Sequence, residues 1–146
     1  MTRYVRVAVS VWALVAGAAV FHATVGAQGK SVADGVYSEA QAKSGTTVYA
    51  EQCASCHGED LAGIADLFPA LTGEAFGKAW QGRTVGDLFD KIATTMPALD
   101  PGSLKPAQAA DITAFILSRS KYPAGAADLA ANADELKSIQ IVAPKP

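Results

Sequence analysis

The chain has 146 residues, of which 50% are hydrophobic and 18% charged, and this is the size and composition of one globular domain. Lys and Arg number 12 and Asp and Glu 14, which gives a formal charge of −2. That charge lacks the basic excess that binding to a phosphate backbone requires, so nucleic acid is not an expected partner.

The N-terminal residues have the layout of a secretory signal peptide. Arg3 and Arg6 precede the charge-free run 7–21, and small residues lead up to a cleavage position after Ala27. The alternative is an uncleaved membrane anchor, but the run is interrupted at His22, short of the roughly 20 apolar residues that a spanning helix needs. Cleavage leaves 10 basic and 14 acidic side chains, a net charge of −4. The sequence therefore predicts export without stable insertion into the membrane.

The first helix is predicted shortly after this peptide. Residues 28–35 are interpreted as a short flexible lead-in. Ser38, followed three places later by Gln41, matches a capping box, so a helix is expected from there through Tyr49. A glycine inside a helix costs about 1 kcal/mol relative to alanine, and Gly45 therefore indicates close packing against another helix.

Both cysteines of the chain occur in one short run, Cys53–His57, which reads C-x-x-C-H. This spacing is the attachment signature of c-type haem, in which the two thiols add to the vinyl groups and the histidine becomes an axial iron ligand. Two residues between Cys53 and Cys56 on a helical turn place both sulfurs along one porphyrin edge, and His57 then turns beneath the metal.

Three other uses of these cysteines fit less well. A thioredoxin-like dithiol is expected beside a β-α-β pattern, and no strand-like apolar run precedes Cys53. A zinc or iron–sulfur site needs four Cys or His ligands, whereas residues 28–146 contain three. A structural disulfide leaves the adjoining His57 unexplained. One covalently attached haem c is therefore the predicted cofactor.

Met96 is the side chain that can complete the iron coordination. Iron with one His ligand takes Met, a second His or no protein ligand on its other side, and Met96 is the one further Met or His after residue 27. It lies directly before Pro97, which stops helix formation and restrains the loop. His57 and Met96 are therefore the predicted metal ligands, the alternative being that Met96 only fills the core.

Two further helices are predicted from apolar residues at helical spacing. The first lies between residues 84 and 95, with Thr84 and Asp87 placed to cap its start, and it leads directly to the predicted methionine ligand. The second opens near Pro106, a residue suited to the first helical turn, and ends near Arg119. The Ala-rich residues 121–146 carry a short helix candidate at 134–138.

Several motifs together resemble class I c-type cytochromes over about residues 36 to 120. They are Gly45, Tyr49, the Cys53–His57 run with Gly58, the Pro69–Gly73 segment, Met96-Pro97 and the apolar helix around Phe115. Within that class, the chain resembles the small cytochromes that accompany quinone-dependent (PQQ) alcohol dehydrogenases or form their haem domain. The finer resemblance is carried by Gly35-Val36-Tyr37, Trp80–Thr84, Asp100–Leu104 and Pro123-Ala124-Gly125.

The resemblance implies roles for four more cofactor-binding residues. The carbonyl of Pro69 is expected to accept a hydrogen bond from the far ring nitrogen of His57, and Leu71 is expected to pack on a haem face. Trp80 and Arg83 match donors to a haem propionate, because an indole N–H and a guanidinium suit a partly buried carboxylate. The alternatives are a turn-forming proline, a core leucine, a core tryptophan and a surface arginine.

Two expectations about helices also follow from the resemblance. It names the C-terminal helix as the partner of Gly45. Lys105 departs from the pattern, because it stands where relatives usually have Ser or Thr as the helix cap. The start of the last helix is therefore predicted to be weak.

The sequence thus predicts an all-α protein with the class I cytochrome c fold, in which several helices pack around one covalently attached haem. The predicted divisions are a signal peptide at 1–27, the lead-in at 28–35, the cytochrome c domain at 36–120 and a C-terminal tail packed on it at 121–146. The predicted function is that of a periplasmic single-electron carrier, not an enzyme, that accepts electrons from a quinoprotein dehydrogenase or passes them to a terminal oxidase. The alternatives are a haem enzyme or gas sensor with an open distal site, and a dithiol oxidoreductase at Cys53 and Cys56.

Overall fold

A computed structural model describes residues 29–144, so the predicted signal peptide at 1–27 lies outside the described residues. Within this range the regular elements are a 3₁₀ helix at Val32–Asp34 and the helices α1 (Glu39–Gln52), α2 (Ala54–His57), α3 (Gly73–Trp80), α4 (Val85–Thr95), α5 (Pro106–Arg119) and α6 (Ala133–Leu136). The prediction of an all-α fold is confirmed. No helix between residues 29 and 144 is long and apolar enough to cross a membrane.

Helix α1 begins at the predicted cap, but its capping box is incomplete. Ser38 Oγ accepts a hydrogen bond from the Gln41 N–H at 3.0 Å. The side chain of Gln41 does not return to Ser38; its Nε2 donates to the Leu129 carbonyl at 3.1 Å, and its Oε1 accepts from the Leu129 N–H at 2.7 Å. Because Gln41 is buried, these two bonds satisfy polar groups that burial otherwise penalises. The amide therefore joins α1 to the chain that follows α5.

The closest helix pair is α1 and α5, and Gly45 lies where they meet. A Cβ atom added at Gly45 would come within 2.0 Å of the Asp111 carbonyl oxygen on α5. One turn further along, the rings of Tyr49 and Phe115 pack with centroids 5.0 Å apart. The expectation that Gly45 packs against the C-terminal helix is confirmed, and the reason is that only a hydrogen fits between the two backbones.

Helix α5 is the centre of the core. All of its residues from Ala109 to Leu117 are buried except Asp111, which is partly exposed, so its apolar surface is covered on nearly every side. At its start, Lys105 supplies the cap position, and the Gln108 side chain accepts a hydrogen bond from the Lys105 N–H at 3.0 Å. Gln108 therefore replaces part of what a Ser or Thr cap provides.

Helix α4 follows the prediction closely. Thr84 Oγ1 accepts from the Asp87 N–H at 3.1 Å, and Asp87 Oδ2 accepts from the Thr84 N–H at 2.9 Å, which completes the capping box. The helix ends at Thr95, so that Met96 is its C-cap residue. The apolar residues at helical spacing, Val85, Leu88, Phe89 and Ile92, are all buried.

Helix α3 was not predicted from the sequence. Its eight residues include two glycines, and its cap residue Thr72 makes no side-chain hydrogen bond to the first turn. Phe76 is the one residue of α3 that is fully buried, and its ring lies 6.3 Å from that of Trp80. Helix α3 therefore depends on tertiary packing more than on local signals.

The two ends of the described chain pack together against the helices. Residues 28–35 were predicted to be a flexible lead-in; in the structure, Val32 is fully buried and Ser31 caps the 3₁₀ helix. Apolar residues after α5 are also buried. Helix α6 begins one residue before the predicted start at 134 and ends two residues before the predicted end at 138. The buried apolar residues after α5 are Tyr122, Leu129, Leu136, Ile139 and Ile141.

Candidate haem site

Helix α2 places the three residues of the C-x-x-C-H run on one turn. Cys53 ends α1 and precedes α2, with φ −126° and ψ −35°. The N–H groups of Cys56 and His57 both donate to the Cys53 carbonyl, at 3.1 and 2.9 Å. The backbone of the run is therefore a closed turn, and the side chains of Cys53, Cys56 and His57 project from that single turn.

The two cysteines do not form a disulfide, and each is partly buried. Burial raises the pKa of the Cys53 thiol to about 11, and the negative charge of a Cys56 thiolate adds to this effect. Reactive dithiols have lowered thiol pKa values, because the thiolate is the nucleophile. The environment of Cys53 is therefore unlike that of a dithiol oxidoreductase.

The ring of His57 is buried and oriented by one backbone contact. Its exposed fraction is 8%, and its Nδ1 lies 2.9 Å from the carbonyl oxygen of Pro69. A carbonyl oxygen can only accept a hydrogen bond, so Nδ1 carries the proton. In the neutral ring the other nitrogen, Nε2, then has a free lone pair, which is the state that an iron ligand needs. The contact expected between His57 and Pro69 is present.

The loop at residues 58–72, here called the attachment loop, positions Pro69. It is closed by backbone bonds from the Gly63 N–H to the His57 carbonyl at 2.9 Å and from the Leu71 N–H to the Leu61 carbonyl at 2.8 Å. A Cβ atom at Gly63, which has φ +69°, would lie 2.3 Å from the Phe68 carbonyl oxygen, so glycine is required there. Leu71 is partly buried and contacts the core.

Tyr49 connects the C-x-x-C-H turn to the core. Its hydroxyl donates to the Gly58 carbonyl at 2.7 Å, while its ring packs on Phe115. Burial, with smaller contributions from the charges of Cys53 and Asp60, raises the pKa of Tyr49 to about 12. The hydroxyl therefore stays protonated and remains a donor throughout the physiological pH range.

Met96 lies at the end of α4, and no helix follows it directly. Its N–H donates to the Ile92 carbonyl at 3.2 Å, and its side chain is partly buried. Helix α4 packs on α5, which in turn packs on α1. Met96 thus occupies the first position after a helix whose orientation is set by the core.

Trp80 and Arg83 are brought together by the turn that follows α3. The Arg83 N–H donates to the Trp80 carbonyl at 3.0 Å, and the guanidinium carbon of Arg83 lies 5.5 Å from the centroid of the Trp80 ring. This distance is that of a cation–π contact. Trp80 is partly buried, whereas Arg83 is exposed, so the pair presents an indole and a guanidinium at the surface.

Sequence reasoning missed two features of the site. The ring of Phe68 meets the His57 ring edge-on, with centroids 6.2 Å apart and planes at 62°. The second feature is the requirement for glycine at Gly63. No local pattern in the sequence signals either of them, because both depend on how the attachment loop folds back toward the C-x-x-C-H turn.

These residues fit a covalent haem. Two partly buried thiols and a buried imidazole lie on one turn, and the imidazole has its Nδ1 proton held by Pro69. Together with the all-α fold, this donor set defines the protein as a c-type cytochrome.

Comparison with known proteins identifies the family. The family model for cytochrome c oxidase, cbb3-type, subunit III matches residues 40–116, which is more than half of the chain. The chain belongs to this family, and it is a monohaem class I c-type cytochrome with covalent haem c as cofactor and electron transport as its role.

One solved structure is similar in fold. The sulfane dehydrogenase SoxCD from Paracoccus pantotrophus matches with a TM-score of 0.53 and 22% identity over 71% of this chain. The match covers 53% of that chain, so this protein spans about half of its length. At this identity the likeness is one of fold alone. No curated protein matches the chain.

Proposed function

We propose that this protein is a single-electron carrier in which haem c is bound through Cys53 and Cys56 and the iron is ligated by His57 and Met96. The observation that carries the proposal is the hydrogen bond between His57 Nδ1 and the Pro69 carbonyl at 2.9 Å. This bond leaves Nε2 as the one ring nitrogen able to bind a metal, and it increases the donor strength of the ring.

The proposed ligand set determines the kind of chemistry. When bound, haem c supplies a one-electron couple, and His/Met ligation raises its reduction potential. With both axial positions filled by protein, no position is open for a substrate. We therefore propose that the protein transfers electrons and is not an enzyme. In this proposal Leu71 packs on a haem face, and Trp80 and Arg83 donate hydrogen bonds to a haem propionate.

The proposed location is the periplasm. It rests on the signal-peptide layout of residues 1–27, with cleavage after Ala27. It also rests on the fact that proteins with covalently attached haem c are normally exported. The proposed cytochrome c domain is 36–120, and the proposed tail is 121–146. The structure supports this arrangement by the burial of Ile139 and Ile141 against the helices, which makes the tail part of the same folded unit.

The proposed partners are redox proteins. The finer sequence resemblance favours a PQQ-dependent alcohol dehydrogenase as electron donor. The description of the matched family, an oxidase subunit, supports a terminal oxidase as the acceptor. A net charge of −4 after cleavage favours partners with a basic docking face, within a range of about 8 Å at physiological salt.

The first experiment is an absorption spectrum of the exported full-length protein, oxidised and reduced, after acid-acetone extraction. We expect haem that resists extraction, a sharp reduced α-band, and a sulfur–iron charge-transfer band that is absent in Met96→Ala. The matched control is Leu99→Ala, which removes a 96% exposed side chain from the same loop and should leave the band unchanged.

Two results would contradict the proposal. Retained haem without the sulfur–iron band, together with ready binding of carbon monoxide, would indicate an open iron and hence the enzyme or gas-sensor alternative. Absence of attached haem would overturn both of these and leave the dithiol at Cys53 and Cys56.

A further inference from the structure

The turn that carries Trp80 and Arg83 depends on a distant part of the chain for its shape. Within this turn Gly82 has φ +83°, and a Cβ atom placed there would meet no atom within 4 Å. Packing at Gly82 therefore does not define the turn. The backbone partners of the turn must set its conformation.

Two of those partners lie in residues 139–141, here called the bridging segment. The Gly82 N–H donates to the Ile141 carbonyl at 2.9 Å, and the Ile141 N–H donates to the Arg83 carbonyl at 2.8 Å. A third bond runs from the Val85 N–H, at the first position of α4, to the Ile139 carbonyl at 2.9 Å. The bridging segment therefore binds the chain on both sides of Arg83.

The other edge of the bridging segment is held by the N-terminal residues. The Gln140 N–H donates to the Lys30 carbonyl at 2.8 Å, and the Gln140 carbonyl accepts from the Val32 N–H at 2.9 Å. Backbone groups of successive residues in an extended chain point to opposite sides, which is why Ile139 and Ile141 serve the turn and Gln140 serves the N-terminal residues.

The bridging segment is also anchored by burial. Ile139 is 6% exposed and Ile141 is 1% exposed, and both belong to the main core. Directly after the segment, the Val142 carbonyl accepts a hydrogen bond from the Tyr122 hydroxyl at 2.6 Å. The segment is thus a fixed support, and the turn is the part that gains order from it.

From these contacts we infer that the bridging segment is a positioning element: its backbone holds Trp80 and Arg83 in the arrangement in which they bind a haem propionate. The inference rests on the proposed function, because it assigns the indole and guanidinium to that carboxylate. The cation–π contact between the two side chains means that the segment sets the position of both together. A guanidinium close to the propionate favours the ionised form of that carboxyl group. Its positive charge also destabilises oxidised iron relative to reduced iron, which raises the reduction potential.

The test replaces single backbone N–H groups by proline. Ile141→Pro removes the N–H that binds Arg83, whereas the control Gln140→Pro removes the N–H that binds Lys30, on the opposite edge. Ile141→Ala controls for the lost side chain and keeps the N–H. A milder variant is Val85→Pro, which removes the bond to Ile139 at a first helical position where proline is well tolerated.

The measurement is the reduction potential of the haem-loaded full-length protein as a function of pH. In Ile141→Pro, and to a smaller extent in Val85→Pro, we expect a lower potential. The pH at which the potential becomes pH-dependent should rise by about one unit, because an opposite charge nearby lowers a carboxyl pKa by that order. Gln140→Pro and Ile141→Ala keep every bond to the turn and should change the potential and its pH dependence much less than Ile141→Pro does. No variant alters the other charged side chains on the helices around the turn, which are Glu74 and Lys78 on α3, Asp87, Asp90 and Lys91 on α4, and Asp134 and Glu135 on α6 with Lys137 after it.

A double variant separates positioning from general loosening. If the segment acts mainly through Arg83, Ile141→Pro should produce a much smaller fall in potential in an Arg83→Gln background than in the wild type. The inference is overturned if Ile141→Pro and Val85→Pro leave the potential and its pH dependence unchanged, or if the Gln140→Pro control shifts them equally. The sulfur–iron band tests the proposed function separately. If the band is absent in the wild type, the proposed His/Met ligation is wrong, whereas the role of the segment is still decided by the potentials of the variants.

Discussion

The interface of α1 with α5 and the attachment loop at 58–72 are joined through Tyr49, but they are stabilised in different ways. At the interface, Gly45 lets the two backbones touch, and nearly all of the middle of α5 is buried. In the attachment loop only Leu61 is fully buried, while Ile64 and Leu67 are 49% and 72% exposed. The interface is held by apolar burial, and the loop is held by backbone hydrogen bonds.

This difference shows how the protein supports a covalent cofactor. Burial is strong and cooperative, so the interface provides a fixed frame. The loop contributes one carbonyl, that of Pro69, at a defined position. Local turns are enough to fix that position, and the loop does not need a core of its own. Leu61 and Asp66 adopt positive φ values of 64° in order to form those turns. Tyr49 joins the two regions, because its ring belongs to the interface and its hydroxyl binds the start of the loop.

The largest expected effect comes from breaking the interface. Gly45→Ala places a Cβ atom 2.0 Å from the Asp111 carbonyl oxygen, so the helices must separate, at a cost of about 3 kcal/mol or more in the free energy of unfolding. The control is Gly77→Ala in α3, where a Cβ atom meets nothing within 4 Å and should stabilise the protein by about 0.5–1 kcal/mol. Urea unfolding measures both. Equal effects of the two changes would contradict the comparison.

A smaller loss in the free energy of unfolding is expected when the hydrogen bonds between Gln41 on α1 and Leu129, in the chain after α5, are removed. Gln41→Leu keeps the size of the side chain but leaves the buried N–H and carbonyl of Leu129 without partners, which should cost about 2 kcal/mol. Gln52→Leu, at an exposed position of the same helix, should stay within about 0.5 kcal/mol of the wild type. The result to look for is a lower urea midpoint for the first variant alone.

The connection between the two regions is tested by Tyr49→Phe. The ring contact with Phe115 remains, and the bond to the Gly58 carbonyl is lost, so a destabilisation of about 1 kcal/mol is expected. Amide exchange should become faster in the attachment loop. Tyr122→Phe removes a comparable bond, to Val142, and should cost a similar amount without faster exchange in the loop. Faster loop exchange in both variants would mean that Tyr49 has no special connecting role.

The smallest effect concerns the start of α4, the helix that leads to Met96. Two hydrogen bonds with Thr84 lower the pKa of Asp87 below its usual value of 3.8. A depressed pKa means that the ionised carboxylate stabilises the fold above that value and that the contribution is lost as the pH falls through the lowered pKa. Asp87→Asn should therefore cost about 0.5 kcal/mol at pH 7 and less at pH 3. Thermal unfolding at both pH values measures this; a constant difference would show that the charge is not involved.

Prediction from sequence succeeded where the signal was local. The start of α4 was recognised because Thr84 and Asp87 are three residues apart and bond to each other. The attachment run was recognised because its chemistry is contained in five consecutive residues. Helix α3 was missed because its cap makes no side-chain hydrogen bond and its helical stability comes from Phe76 in the core. The capping box at Ser38 was half right, because Gln41 finds its partner 88 residues away.

The sequence by itself determined the class of protein, the covalent cofactor and the all-helical fold, because each of these follows from short spacings and from apolar periodicity. The tertiary structure decided two further features: the ordering of the residues around Val32, and the pairing of the bridging segment with the turn at Arg83. Both depend on backbone groups that meet across long separations in the chain. Except for the N–H that proline lacks, backbone carbonyl and N–H groups are the same in every residue type, and so their distant partners leave no trace in the pattern of side chains.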